Sequence, residues 1–173
     1  MDTLPNRITL ARIVMIPLFL LLAYLNLPWW ALLVFVLACL SDFADGYLAR
    51  KYDQVTNFGK FVDPLADKML VLAAMCYFVE RGQLPGWCAA LVLFREFAVS
   101  GLRLIAVERQ RVIAAAWSGK VKTFATMIAL GLMLVFGGCA WINGLCAAVI
   151  VLTTLYSGVE YFVKNRDVLS VAQ

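Results

Sequence analysis

Six apolar runs dominate the chain, at roughly residues 8–27, 29–49, 61–80, 86–107, 122–140 and 142–163, separated by segments rich in Gly, Pro, Asn or charge. Crossing the hydrocarbon of a bilayer takes about 20 mostly apolar residues, so the pattern predicts six spanning helices. Ahead of the first run, Pro5 and "NRITLAR" predict a short helix lying on the membrane surface, with Pro17 as a kink into the first span. The first run is long enough to span and has no small-residue cleavage site behind it, so it reads as a span and not as a secretory signal. Little chain is left over, and no internal repeat, low-complexity tract or linker interrupts it. The expected fold is all-α: a single polytopic membrane domain over residues 1–173, with six transmembrane helices and a short N-terminal amphipathic interfacial helix.

Composition sharpens this. Hydrophobic residues make up 64% and charged residues 15% of the chain, and mean hydropathy is +0.86; a soluble domain averages about 25% charged and 45–50% apolar. Cys39, Cys76, Cys88, Cys139 and Cys146 are scattered through apolar runs with no CxxC pair, as small apolar fillers are. The absence of histidine excludes His-based triads and His-ligated metals.

Charge sets the orientation. The runs place outer loops at "LNLPWW", "ERGQLPG" and "GGCAWING", and of fifteen Lys and Arg residues only Arg81 falls in one of them. Arg95 lies within a span. Arg7, Arg12, Arg50, Lys51, Lys60, Lys68, Arg103, Arg109, Arg111, Lys120, Lys122, Lys164 and Arg166 fall towards the other ends, so both termini are expected in the cytoplasm. The net charge of +4 is then concentrated on one face, which suits anionic headgroups and phosphorylated metabolites; no feature suggests nucleic acid. Trp29, Trp30, Trp87 and Trp141 mark the outer interface. Two polar connections, "KYDQVTNFGK" at 51–60 and "ERQRVIAAAWSGK" at 108–120, lie on the inner side.

The stretch "SDFADGYLARKYDQVTNFGKFVDPLADK", residues 41–68, carries Asp42, Asp45, Asp63 and Asp67. Spacings of three and four put each pair on one face of a helix, and a hairpin of the two helices sets the pairs opposite each other. Four carboxylates in a low-dielectric site repel by several kcal/mol unless cations lie between them. All-oxygen ligands suit Mg2+ or Mn2+, and Mg2+ usually binds carboxylates together with substrate phosphates. Two ions about 3.5–4 Å apart would clamp an in-line displacement at phosphorus. Gly46 and Gly59 would let a bulky ligand approach the backbone, and Arg50 would take a diphosphate oxygen. The competing readings are a solvated acidic face and an ion pathway. A pathway requires acids continuing outwards, yet Glu80 and Glu160 sit near helix ends and only Glu96, beside Arg95, lies deep.

The pattern Asp42-x2-Asp45-Gly46-x2-Ala49-Arg50-x8-Gly59-x3-Asp63-x3-Asp67 resembles, without exception, the signature of the CDP-alcohol phosphatidyltransferases. The resemblance implies a six-helix membrane enzyme, usually a homodimer, that moves a phosphatidyl group from CDP-diacylglycerol to an alcohol and releases CMP. It implies that Asp42, Asp45, Asp63 and Asp67 bind the metals and that Asp67 is also the base. Gly46, Ala49, Arg50, Thr56 and Gly59 stand where the family contacts the CDP moiety, and "PNRITLAR" is similar to the segment that closes over the nucleotide, with Asn6 and Thr9 as contacts.

Outside the signature, "LPNRITLARIVMIPLF", "REFAVSGLRLIA" and "SGKVKT" resemble bacterial phosphatidylglycerophosphate synthases, whose acceptor is glycerol 3-phosphate. With these, the resemblance covers residues 4 to 130 and implies a site on the cytoplasmic face of a bacterial inner membrane. A phosphorylated acceptor needs cations beside the metal site, and Arg95, Arg103, Lys120 and Lys122 are the candidates. Arg95 is costly in a span unless it pairs or meets an anion, and Glu96 is the alternative partner. Inositol-phosphate, serine or phosphatidylglycerol acceptors share the aspartates and stay open. So does a divalent-cation transporter, which would need polar residues continuing to the outer face.

Overall fold

The computed structural model describes residues 4–51, 57–108 and 116–166; within these, the side chains of residues 4–9, 42–51, 57–67 and 108 are not described. Among the described residues the chain is all-helical. Its six helices are α1 Leu4–Tyr24, α2 Pro28–Lys51, α3 Asn57–Glu80, α4 Gly86–Glu108, α5 Trp117–Phe136 and α6 Ala140–Lys164.

The three predicted outer loops are tight turns. Asn26 takes the left-handed conformation at φ 55° between α1 and α2, and Gly82 takes it at φ 67° between α3 and α4. Pro28 then opens α2, where a missing N–H costs nothing. Side chains tie the turns together. Arg81 donates from a terminal guanidinium nitrogen to Asn26 Oδ1 at 2.7 Å, and its guanidinium lies 5.4 Å from the Tyr77 ring centre. The carbonyl of Gly137 accepts from Gln83 Nε2 at 3.0 Å and from Asn143 Nδ2 at 2.9 Å. Tyr24 donates to the Glu80 carboxylate. Trp29, Trp30, Trp87 and Trp141 stand exposed on the first turns of α2, α4 and α6 at this end.

Two expectations are corrected. The N-terminal segment is not a separate interfacial helix: α1 runs unbroken from Leu4 through Pro17 to Tyr24. Pro5 sits in the first turn, where N–H groups have no intrahelical partner, and Pro17 removes one bond from a ladder that its neighbours sustain. Helix α5 begins at Trp117, earlier than the apolar run from residue 122 suggests, while Lys120 and Lys122 lie near its start, as expected. The charge that hid this helical turn from a hydropathy reading is partly neutralised by tertiary contact, described below.

Helix α1 packs on α2 and α3, α2 on α5, α5 on α6, α4 on α6, and α3 on α4. One cluster, including Phe19, Phe35, Leu70, Met75, Phe78, Leu130, Met133 and Ile150, fills the main core; a second joins Val99, Leu102 and Ala106 of α4 to Tyr161 of α6. Ala31 and Ala38, seven residues apart on α2, are fully buried. Small residues at such spacing let helices approach closely where lipid supplies no hydrophobic drive. Some hydroxyls bond within their own helices: Thr126 donates to the Lys122 carbonyl at 2.9 Å and Ser157 to the Thr154 carbonyl at 3.2 Å. Large apolar side chains face outwards, among them Phe94, Phe97, Leu152 and Val159, a surface suited to hydrocarbon. Helices α5 and α6 are long and apolar enough to cross a membrane; Leu10–Tyr24 and Pro28–Ser41 are shorter apolar stretches of helix.

Overfilling the α2 seam tests this packing. Ala31→Leu should cost about 1–3 kcal/mol, read as a lower melting temperature of the detergent-solubilised protein. Leu33→Ala on the exposed face of the same helix should leave that temperature nearly unchanged.

Candidate active site

The acidic half of the site rests on two backbones. Helix α2 carries Asp42, Asp45, Gly46, Ala49 and Arg50, and α3 carries Gly59, Asp63 and Asp67. Both stretches are helical, which is the condition for each aspartate pair to share a face. The two helices pack together and are joined through residues 52–56. Asn6 and Thr9 lie on the first turns of α1, which packs on both. The side chains of all these residues, and Thr56 as a whole, lie outside the described residues. The donor set is chemically consistent with a hard divalent ion: four carboxylates, with no histidine in the chain. Among the described residues no group of three or more His, Cys, Asp or Glu gathers.

The basic half is described in full. Glu96, in the middle of α4, accepts on Oε1 from Arg95 at 3.0 Å and from Lys122 Nζ at 2.9 Å; its Oε2 lies 3.8 Å from Lys68 Nζ. Lys68 also donates to Ser100 Oγ at 2.7 Å. One carboxylate thereby holds cations from α3, α4 and α5. Among the described side chains this cluster has three cations to one anion, and a surplus of positive charge at a half-buried place is a seat for an anion. Lys122 is the most enclosed, its side chain 5% exposed, and Arg95 follows at 12%. Arg95 Nε is buried and has no hydrogen-bond partner among the described residues. Its stem lies against α6 and its tip against α5: a methyl group at Gly158 would stand 3.4 Å from Arg95 Cγ, and one at Gly119 would stand 3.5 Å from a terminal nitrogen.

Lys68 connects the halves. It directly follows Asp67 on α3, so the cation cluster begins at the very turn that carries the last aspartate of the signature.

The four predicted acceptor cations are not equivalent. Arg95 and Lys122 meet at Glu96. Arg103 stands on the same face of α4 as Glu96 and Ser100, at spacings of three and four. It donates from Nε to Tyr161 Oη at 2.9 Å, with its guanidinium 5.5 Å from the Tyr161 ring centre. Lys120 is exposed, because two positions along a helix turn a side chain by about 200° and Lys122 takes the buried face. Sequence reasoning passed over Tyr161 and Gly158, which sit in a generic apolar run, and over Lys68 and Ser100. It also counted Arg12 with the inner-face charge, whereas Arg12 is buried at 1% exposure in α1. An i, i+4, i+7 pattern through Glu96, Ser100 and Arg103 was the available signal for a polar face on α4. A cavity of about 230 Å³, lined by Asn26, Tyr77, Arg81, Gln83, Met133 and Gly137, lies at the turn end instead, away from the aspartate-bearing turns.

Comparison with known proteins agrees with this picture. The family model described as CDP-alcohol phosphatidyltransferase matches residues 2–156. The chain is 40% identical to the CDP-diacylglycerol–glycerol-3-phosphate 3-phosphatidyltransferase of Bacillus subtilis (strain 168) over 192 aligned positions, covering 99% of this chain and 100% of the relative. It is 40% identical to a probable phosphatidylglycerophosphate synthase of Mycobacterium tuberculosis (strain CDC 1551 / Oshkosh), covering 98% of this chain and 85% of the relative. It is 42% identical to the CDP-diacylglycerol–glycerol-3-phosphate 3-phosphatidyltransferase of Rickettsia bellii (strain RML369-C), covering 76% of this chain and 75% of the relative. With an unbroken aspartate signature on two packed helices and a family match over nearly its whole length, the chain belongs to the CDP-alcohol phosphatidyltransferases.

Proposed function

We propose that this enzyme transfers the phosphatidyl group of CDP-diacylglycerol to glycerol 3-phosphate, giving phosphatidylglycerophosphate and CMP. The observation that carries the reading is the surplus of cations gathered at Glu96 and joined through Lys68 to the turn bearing Asp67. A doubly charged acceptor needs such a seat beside the reacting phosphorus. The names of the aligned relatives support the same acceptor.

The protein is a single membrane domain over residues 1–173, a bundle of six spanning helices in the cytoplasmic membrane of a bacterium. Both termini and the site face the cytoplasm, and the active form is a homodimer. CDP-diacylglycerol enters sideways with its acyl chains left in lipid. Arg50, Thr56 and the helix turns at Gly46, Ala49 and Gly59 hold its diphosphate and nucleotide, with Asn6 and Thr9 closing over the nucleotide. Mg2+ or Mn2+, as two ions held by Asp42, Asp45, Asp63 and Asp67, would neutralise the diphosphate and the charge developing on CMP. Arg95, Lys122 and Arg103 bind the acceptor phosphate, with Lys120 drawing the anion in from the exposed face. Asp67 takes the proton of the primary hydroxyl. That oxygen attacks the phosphatidyl phosphorus, the bond to the CMP oxygen breaks, and CMP departs with its electron pair. The sequence offers no separate nucleophile such as an activated Cys, which favours a single displacement.

The direct test supplies purified protein with CDP-diacylglycerol, Mg2+ or Mn2+ and a panel of alcohols and measures CMP release. Glycerol 3-phosphate should be the preferred acceptor, and preference for a different alcohol would overturn the assignment. Asp67→Asn should abolish turnover while CDP-diacylglycerol still binds; near-normal turnover would exclude the base role. Arg103→Ala should raise the KM for glycerol 3-phosphate by about tenfold or more and leave that for CDP-diacylglycerol little changed. An equal rise in both would show that Arg103 serves the structure through Tyr161 alone.

A further inference from the structure

An acid at the centre of an anion-binding cluster looks counterproductive, because it cancels part of the charge that attracts the ligand. Its geometry gives the reason for its presence. Glu96 uses one oxygen for both Arg95 and Lys122, at 3.0 and 2.9 Å, and turns the other towards Lys68. Lysine has three N–H donors and arginine five, so each cation spends only part of its capacity on Glu96. Lys68 spends one further donor on Ser100. Arg95 Nε has no acceptor among the described residues. The carboxylate therefore fixes the cations without saturating them.

Without it, Lys122 would be a lysine at 5% side-chain exposure close to Arg95, with like charges pushing apart and a long flexible stem free to swing. Removing one member of a buried ion pair leaves the other uncompensated, which is among the larger penalties a protein can incur. Binding a phosphate to such a loosened set would also require ordering it first.

We propose that Glu96 is a positioning residue for the acceptor: it holds Lys122 and Arg95 in a preorganised pair whose remaining donors receive the phosphate of glycerol 3-phosphate. Glu96 acts through those cations and makes no contact with the reacting atoms. The proposal rests on the acceptor reading above.

The test uses the full-length protein in detergent with Mg2+ or Mn2+, following CMP release. Glycerol 3-phosphate and CDP-diacylglycerol are varied separately. Wild-type protein that releases no CMP with glycerol 3-phosphate would defeat the acceptor reading itself, before Glu96 is at issue. Given an active wild type, Glu96→Gln should raise the glycerol 3-phosphate KM by about tenfold, with the CDP-diacylglycerol KM held within about threefold. An unchanged acceptor KM, a parallel rise in both constants, or a fall in kcat alone would overturn the proposal. Should Glu96→Gln fail to fold, the substitution is made instead in an Arg95→Gln/Lys122→Gln background and compared with that background alone. If Glu96 works through these two cations, the changes do not multiply, and adding Glu96→Gln leaves the acceptor KM within about threefold. A multiplied effect would mean that Glu96 acts on substrate by a separate route, and the positioning role would fall.

Discussion

Ionised side chains inside an apolar helical bundle must find opposite charge, and most of this molecule can be understood from how it meets that demand. Glu96 gathers cations from α3, α4 and α5 onto one carboxylate. That contact allows α5 to start at Trp117 and carry Lys122 into the bundle, although a lysine there would otherwise be expelled. It also explains why Gly119 and Gly158 are useful: α5 and α6 must come close enough to Arg95 to shut its stem away from lipid. The sequence poses the same question with the sign reversed on α2 and α3, where four aspartates stand at helical spacing, a donor set chemically suited to a hard divalent ion.

The two ends of the bundle are built on different principles. The turn end is closed by neutral hydrogen bonds and ring contacts. Gln83 and Asn143 share one carbonyl there, and Arg81 rests on Tyr77 and reaches Asn26. The other end gathers the signature aspartates, the cations and the helix termini that the short turns leave free. A rigid closed end and a charged open end give an enzyme for lipid substrates a fixed frame. The outward faces of α4 and α6, with Phe94, Phe97, Leu152 and Val159 exposed, are suited to hydrocarbon.

The sequence by itself determined the helical class, the positions of the three short turns and the acidic signature. Each of these depends on local chemistry: apolar run length, an Asn or Gly that tolerates positive φ, and carboxylates at helical spacing. It also proposed Arg95, Arg103, Lys120 and Lys122 as a group, from their charge and from the resemblance of the stretches that carry them. Tertiary structure decided how they divide. Helical geometry turns Lys120 out and Lys122 in, Glu96 collects Lys122 with Arg95, and Tyr161 from a distant helix takes Arg103. It also decided that α1 is one helix through Pro17, because neighbouring helices support a ladder that a single missing bond would weaken. These outcomes depend on which faces of different helices meet, and no spacing within one segment encodes that.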